Sequence, residues 1–213
     1  TESSKKANWS LPPLHHEILF SALDKLRTLL FEKSEIFYAL DEDLHQKAEM
    51  DRTEIDSLFW ALNDFMSPQQ LRVKLRRELG TDFPFELKRI STKEKHFECW
   101  FPLGSLVHVT PNNSPLLNVF AMIEGLLSGN INLLKLARKD TNFAEIFFAE
   151  LARLDDTGEI KKYIFITKVS SKNMTTLKKF LSVADVISAW GNEESLESLK
   201  SLAPAEARFI DWG

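Results

Sequence analysis

A single cysteine, Cys99, serves all 213 residues, so no intrachain disulfide can form and a reducing compartment is expected. No apolar run reaches the length of a membrane span. The opening TESSKKANWS lacks the apolar centre of a signal peptide. Positive charge is not in excess either. The net charge is -4, which leaves no electrostatic case for nucleic acid or an anionic membrane as a partner. Low-complexity stretches are missing. The histidine pair His15-His16 has no partner at metal-ligand spacing, so no metal site is expected and the pair reads as surface. A soluble, cytoplasmic protein is the expectation. Glycine is sparse, with 7 in all, yet three of them (Gly104, Gly125 and Gly129) fall within Phe101–Asp140.

What is present is ordinary globular material: 44% hydrophobic and 27% charged. The 16 Phe and 5 Trp predict a sizeable core, or else a surface that a partner covers. Residues up to about Thr81 read as helices. Leu14, Ile18, Leu19, Ala22, Leu26, Leu29 and Leu30 form an amphipathic stripe, and Ile55, Leu58, Phe59 and Leu62 form a shorter one. Ser67-Pro68-Gln69-Gln70 has capping-box spacing with Pro at the first helical position, and Gly80 is placed to end that helix. Thr81–Glu86, with Pro84, reads as a linker. The expected division is therefore a helical segment over 1–85 and an α/β domain over 86–213.

The second part alternates. Expected strands are Leu106–Thr110, Asn132–Leu136, Tyr163–Thr167, Asp185–Trp190 and Ala207–Asp211. The helices between them are Leu116–Ser128, Asn142–Leu154, Met174–Ser182 and Glu193–Leu202. Strands separated by single helices pair in parallel with right-handed crossovers. The fold class is α/β, an open doubly wound sheet with helices on both faces.

Phe101–Asp140 says most about function. Pro111 and Pro115 bracket a polar turn between a strand and a helix, the place where such sheets bind ligands. The stretch resembles the aldehyde dehydrogenase superfamily, most closely its acyl-CoA reductase (fatty acid reductase) branch. The superfamily's Thr-Pro-Trp-Asn-Phe-Pro turn corresponds to Thr110-Pro111-Asn112-Asn113-Ser114-Pro115, and its Ala-Gly-Asn helix end to Ser128-Gly129-Asn130. Its Val-Val-Lys-Pro-Ser-Glu strand end corresponds to Leu133-Leu134-Lys135-Leu136-Ala137-Arg138. The branch adds Pro102-Leu103-Gly104 and a strand end resembled by Ala184-Asp185-Val186-Ile187-Ser188-Ala189-Trp190-Gly191. The resemblance covers about Leu58 to Gly213. It implies a Rossmann-like, mostly parallel sheet and an oxidoreductase that turns a fatty acyl thioester into an aldehyde.

The resemblance also implies roles. Asn113 would donate to the substrate oxyanion, a neutral donor where negative charge develops; an ordinary role in a Pro-bounded turn is the alternative. Thr110 and Pro111 would border the cofactor, Lys135 would meet the adenosine ribose, and Gly191 and Asn192 would face the pyrophosphate end. NAD-dependent relatives carry Glu where this chain has Arg138, followed by Lys139. An arginine pairs with a 2′-phosphate that a glutamate would repel, so the expected cofactor is NADPH (NADP); solvated charges at a strand end are the alternative. Cys99, in the apolar β-like run Phe97–Phe101, reads as an interior hydrophobe and not as a nucleophile. His108 reads as a core or cleft-edge residue. The family's catalytic cysteine lies beyond the equivalent of Gly213. Asp211-Trp212-Gly213 falls on an expected buried strand, so the sequence reads as the cofactor half of a longer enzyme. A non-catalytic nucleotide-binding module is the alternative, as is another aldehyde dehydrogenase-like reductase, acting on glutamyl phosphate or short acyl-CoA. Acyl chain length is not legible here, and homo-oligomerisation stays open.

Overall fold

A computed structural model describes residues 11–93, 95–111, 114–170 and 172–212. Four helices come first among them: α1 (His16–Phe31), α2 (Glu35–Lys47), α3 (Arg52–Phe65) and α4 (Pro68–Leu79). Helix α1 buries Leu19, Leu23, Leu26 and Leu30, the stripe set by its helical period. A complete capping box opens α3. The Asp51 carboxylate accepts from the Glu54 amide, and the Glu54 carboxylate accepts from the Asp51 amide. The box expected at Ser67 does not form. Ser67 makes no capping bond, and α4 starts on Pro68, whose missing N–H would have had no helical partner anyway. Gly80 ends α4 with φ 71°, a left-handed conformation that suits glycine.

A short antiparallel pair, β1 (Lys88–Arg89) with β2 (Phe97–Glu98), stands apart from the main sheet. The apolar run around Cys99 is therefore strand over two residues only. It is not interior: Phe97 and Phe101 are exposed, and Cys99 is half-buried. Its side chains alternate to both sides of an edge that no other described strand pairs, which defeats the interior reading.

The main sheet is parallel throughout, in the order β5-β4-β3-β6-β7. Its strands are β3 (Ser105–Val109), β4 (Ile131–Leu136), β5 (Ile164–Lys168), β6 (Val186–Trp190) and β7 (Arg208–Trp212). The crossover helices are α5 (Pro115–Leu127), α6 (Phe143–Leu154), α7 (Met174–Leu181) and α8 (Glu193–Leu202). Each element falls within about two residues of its expected position. β3 and β4 are buried at every residue, as strands covered on both faces must be.

Residues along a strand alternate between faces. Leu106, His108, Asn132 and Leu134 point to the face that α5 covers, since a Cβ on Gly125 of α5 would fall 1.7 Å from Asn132 Oδ1 and 3.2 Å from His108 Nε2. Only glycine allows that helix to lie so close. The chain leaves β3 in one direction for β4 and β5, then returns across the sheet to β6 and β7. Right-handed crossovers accordingly put α5 and α6 on one face and α7 and α8 on the other. Helices α1 and α2 pack across α6, so one continuous apolar core joins the helical part to the sheet. His16, expected on the surface, is part of that junction. It is buried between Phe20 and Phe85 with Nε2 2.8 Å from the Leu127 carbonyl oxygen, and burial holds its imidazole below the ordinary value. The aromatic residues divide between core and surface. Phe143, Phe147 and Tyr163 fill the core, whereas Phe83, Trp100, Phe101 and Trp212 stay largely exposed.

Candidate functional site

All five strands of the main sheet point their carboxyl ends to one edge, and the chain reverses its direction of travel between β3 and β6. In an open α/β sheet the crevice at that reversal is where ligands bind.

Some of the motifs hold the opposite edge. Asn130, at the end of the helix-terminating Ser128-Gly129-Asn130, accepts with Oδ1 from the amides of Leu103 (2.7 Å) and Gly104 (3.1 Å). It thereby fixes the Pro102-Leu103-Gly104 entry to β3. Asp185 fixes the next bond along. Its Oδ2 accepts from the Ser105 amide and hydroxyl, both at 2.8 Å. These residues set how β3, β4 and β6 enter the sheet and lie away from the ligand edge.

At the carboxyl edge Thr110 is buried, and its hydroxyl donates to Asn118 Oδ1 in the first turn of α5. That bond fixes where α5 begins and commits the Thr110 side chain to the α5 side. Pro111 follows half-buried. Asn112 and Asn113 lie outside the described residues.

Lys135 sits near the end of β4, level with Val109 and Thr167, and is only 5% exposed. Alternation turns it to the α7/α8 face. Burial pushes its ammonium below the ordinary lysine value, with the Asp140 carboxylate opposing that shift. After β4 the chain makes a tight turn, in which the Asp140 amide donates to the Ala137 carbonyl at 3.1 Å. Asp140 pins the turn a second time, because its Oδ2 accepts from the Ala137 amide. Arg138 and Lys139 occupy the two central positions, both exposed. Arg138 makes no hydrogen bond or ion pair with any described residue, so its guanidinium is available. The carboxyl group of Asp140 is buried and raised above its ordinary value, chiefly by that burial. The Ala137 amide and the nearby ammonium groups of Lys135 and Lys168 act in the opposite direction. Lys168, from β5, bonds Asn142 Oδ1 at 2.5 Å and pairs with Glu145 at 3.0 Å. Sequence reading overlooked Asp140 and Lys168. The one available signal for Asp140 was an aspartate closing a four-residue turn.

Beyond β6, Gly191 leads into Asn192, whose Oδ1 accepts from the Ser195 amide at 3.0 Å and caps α8. A Cβ on Gly191 would lie 3.3 Å from Ser195 Cβ, so glycine keeps this turn tight. Exposed Glu193 and Glu194 already complement the start of α8. Gly191 and Lys135 are two strands apart, roughly 10 Å, on the same edge. The structure thus places Lys135, Arg138, Gly191 and Asn192 along one side of the crevice, with Thr110 turned away toward α5.

The pattern of the acyl-CoA reductase (LuxC) family matches residues 16–213. The chain belongs to that family. Solved structures at 20% identity or less share its fold. The chain is 27% identical over 120 residues to long-chain acyl-protein thioester reductase 2 of Photobacterium leiognathi, covering 54% of this chain and 25% of that one. It is 24% identical over 120 residues to the long-chain acyl-protein thioester reductase of Vibrio harveyi, again 54% and 25%. The matched stretch therefore spans about a quarter of these curated relatives. Among solved structures, a mutant of proline utilization A from Bradyrhizobium japonicum superposes with TM-score 0.70 at 20% identity, covering 98% of this chain and 20% of that one. A benzaldehyde dehydrogenase from Corynebacterium glutamicum gives 0.64 at 15% identity, with 99% and 44% covered. Gamma-glutamyl phosphate reductase from Thermotoga maritima gives 0.64 at 14% identity, with 99% and 51% covered.

Proposed function

We propose that this acyl-CoA reductase family member is the cofactor-binding half of a cytoplasmic enzyme that reduces a fatty acyl thioester, such as acyl-CoA, to an aldehyde with NADPH. Family membership and the acyl-protein thioester reductases among its relatives support the substrate class. The observation that carries the cofactor is Arg138, exposed and unpartnered among the described residues at the centre of a turn pinned by Asp140. The residues at the edge fit a dinucleotide bearing a 2′-phosphate. In this reading Lys135 meets the adenosine ribose, and Arg138 with Lys139 takes the phosphate. Gly191 lets the backbone approach the pyrophosphate while the capped start of α8 favours its charge. The bound nicotinamide supplies the hydride. The protein's own contribution is position and charge: Asn113 offers a neutral donor to the developing oxyanion, and Thr110 and Pro111 fix the turn that presents it. Helices α1 and α2 of the helical segment 1–85 brace the cofactor domain 86–213 through α6.

Titration with NADPH and NADH tests the reading. One charge-assisted bond contributes roughly 1.5–3 kcal/mol, about ten- to hundred-fold in affinity. NADPH is expected to bind more tightly by that order, with the gap shrinking as salt rises. Arg138→Glu is expected to invert the preference. Equal affinities, unmoved by Arg138→Glu, would reject NADPH as the cofactor.

A further inference from the structure

On the α5 face of the sheet, the face away from Lys135, no described helix covers β6 and β7. A cavity of about 520 Å³ lies there, walled by Trp100, Phe101, Leu106, Ala121, Trp190 and Trp212. That size is within the range of sites for small ligands, and so is a mostly apolar wall with few polar groups. The polar groups at its floor are specific. His108 is 2% exposed, and its Nε2 lies 3.0 Å from Asn132 Oδ1. The Asn132 amide nitrogen donates to the Asn130 carbonyl at 2.8 Å, which leaves Oδ1 as the acceptor facing His108. Nε2 must then carry the proton of a neutral ring, and Nδ1 is a bare acceptor. Nδ1 is buried and has no partner among the described residues. Burial holds the ring down to about 4, so it is neutral under ordinary conditions. Ser188 lies beside His108 in register on β6 and lines the same cavity. Its Oγ accepts from Trp212 Nε1 at 3.0 Å, and its own hydroxyl proton has no acceptor among the described residues.

An acceptor and a donor side by side, under apolar walls, match a hydroxyl group, which donates and accepts at once. An aldehyde, ester or thioester only accepts and would leave Nδ1 unsatisfied. A carboxylate has the same defect, and the one ionised side chain in the lining is itself an anion, Glu124. We infer that this cavity binds a long-chain primary alcohol, its hydroxyl donating to His108 Nδ1 and accepting from Ser188, and its chain lying along Leu106 and the Trp190–Trp212 stack. Those indoles are parallel within 13° at 5.6 Å and form a flat apolar wall. The site lies on the α5 face, away from Lys135, and reaches the carboxyl edge at Trp190, next to Gly191; it does not rest on the assignment of the reaction.

Tryptophan fluorescence of the protein, without cofactor, reads occupancy directly because three indoles line the cavity. The probes are 1-decanol, methyl decanoate, decanoate and n-decane. The expected result is a saturable change with 1-decanol at several-fold to ten-fold higher affinity than methyl decanoate, about the worth of one neutral hydrogen bond. His108→Phe keeps the volume and is expected to remove that gap; Ser188→Ala is expected to narrow it. If His108→Phe does not fold, Ser188→Ala and the wild-type comparison of alcohol with ester carry the test. Equal affinity for alcohol, ester and alkane would overturn the proposal, leaving only apolar adsorption. So would tighter binding of decanoate, or no saturable change with any probe.

Discussion

Asp185 and Ser105 face each other across the point where the sheet reverses direction, and they bond four times. The Asp185 carboxylate accepts from the Ser105 amide and hydroxyl at 2.8 Å, and the Asp185 amide lies within bonding distance of the Ser105 carbonyl (3.0 Å) and hydroxyl oxygen (3.1 Å). Ser105 has no exposed surface. Gly104 makes the approach possible: with φ 114°, a Cβ there would fall 2.2 Å from Asp185 Oδ2. Asp185→Ala strands the buried Ser105 amide, at roughly 1–3 kcal/mol for an unsatisfied group, while the Ser105 hydroxyl keeps the Val183 carbonyl at 2.5 Å. A loss of a few kcal/mol in urea unfolding is expected, with Asp185→Asn intermediate because it keeps one acceptor. Wild-type stability in Asp185→Ala would mean that the β3–β6 joint does not depend on this clasp.

Gly125→Ala offers a sharper contrast. In an exposed helix interior, replacing glycine by alanine stabilises by up to about 1 kcal/mol. Here the new methyl would collide with Asn132 Oδ1 at 1.7 Å, and Asn132 is held by its own bond to Asn130. The expectation is destabilisation by about 1–3 kcal/mol, the usual result of overpacking. A thermal melt decides the sign.

His108 predicts a pH dependence. Its folded value of about 4 lies below the ordinary 6.5, because burial penalises the charged ring more than the Asn132 contact favours it. The unfolded chain therefore takes up a proton at 6.5 that the folded chain refuses until about 4. Stability contributed by the neutral ring is complete above 6.5 and is lost progressively as pH falls toward 4. The loss is about 3 kcal/mol for a shift of this size. His108→Phe removes that titration. Its stability relative to wild type is expected to rise by that order between pH 7 and pH 4, while carboxylates titrating elsewhere cancel in the comparison. A constant difference across the range would mean that the folded His108 imidazole titrates at its ordinary value.

The alternating part of the chain was legible because buried parallel strands are written as apolar runs. Val107 and Val109, or Leu133 and Leu134, need no partner to be recognised. The helical stripe of α1 was equally plain. What the sequence hid depends on contacts distant in the chain. Asp185 meets Ser105 across 80 residues, and His16 meets Leu127 across 111. Neither spacing leaves a local pattern, so an aspartate looked like part of a strand motif and a buried histidine looked exposed. Ser67 misled in the opposite way, since a correct local spacing did not form its bond. At the candidate site, Lys135 and Arg138 were singled out through family resemblance alone. The burial of the first and the availability of the second came from the fold.

Asp140 leads to the last prediction. The turn over 137–140 is closed by the Asp140 amide and pinned by its carboxylate on the Ala137 amide, with Arg138 and Lys139 carried between. If Arg138 takes the 2′-phosphate, its reach depends on that turn keeping its shape. Asp140→Ala removes the pin but leaves Arg138 charged. A free turn must lose freedom on binding, and fixing one residue's backbone costs about 1–2 kcal/mol. NADPH affinity should therefore fall about five- to thirty-fold, while NADH, which does not use Arg138, should fall less. Asp140→Asn keeps an acceptor for the Ala137 amide and should restore most of the loss if the hydrogen bond matters. Should Asp140→Asn behave like Asp140→Ala, the carboxylate acts through its charge on Lys135 and Lys168, and both cofactors should then weaken together. Titrating the three proteins with both cofactors separates the two roles.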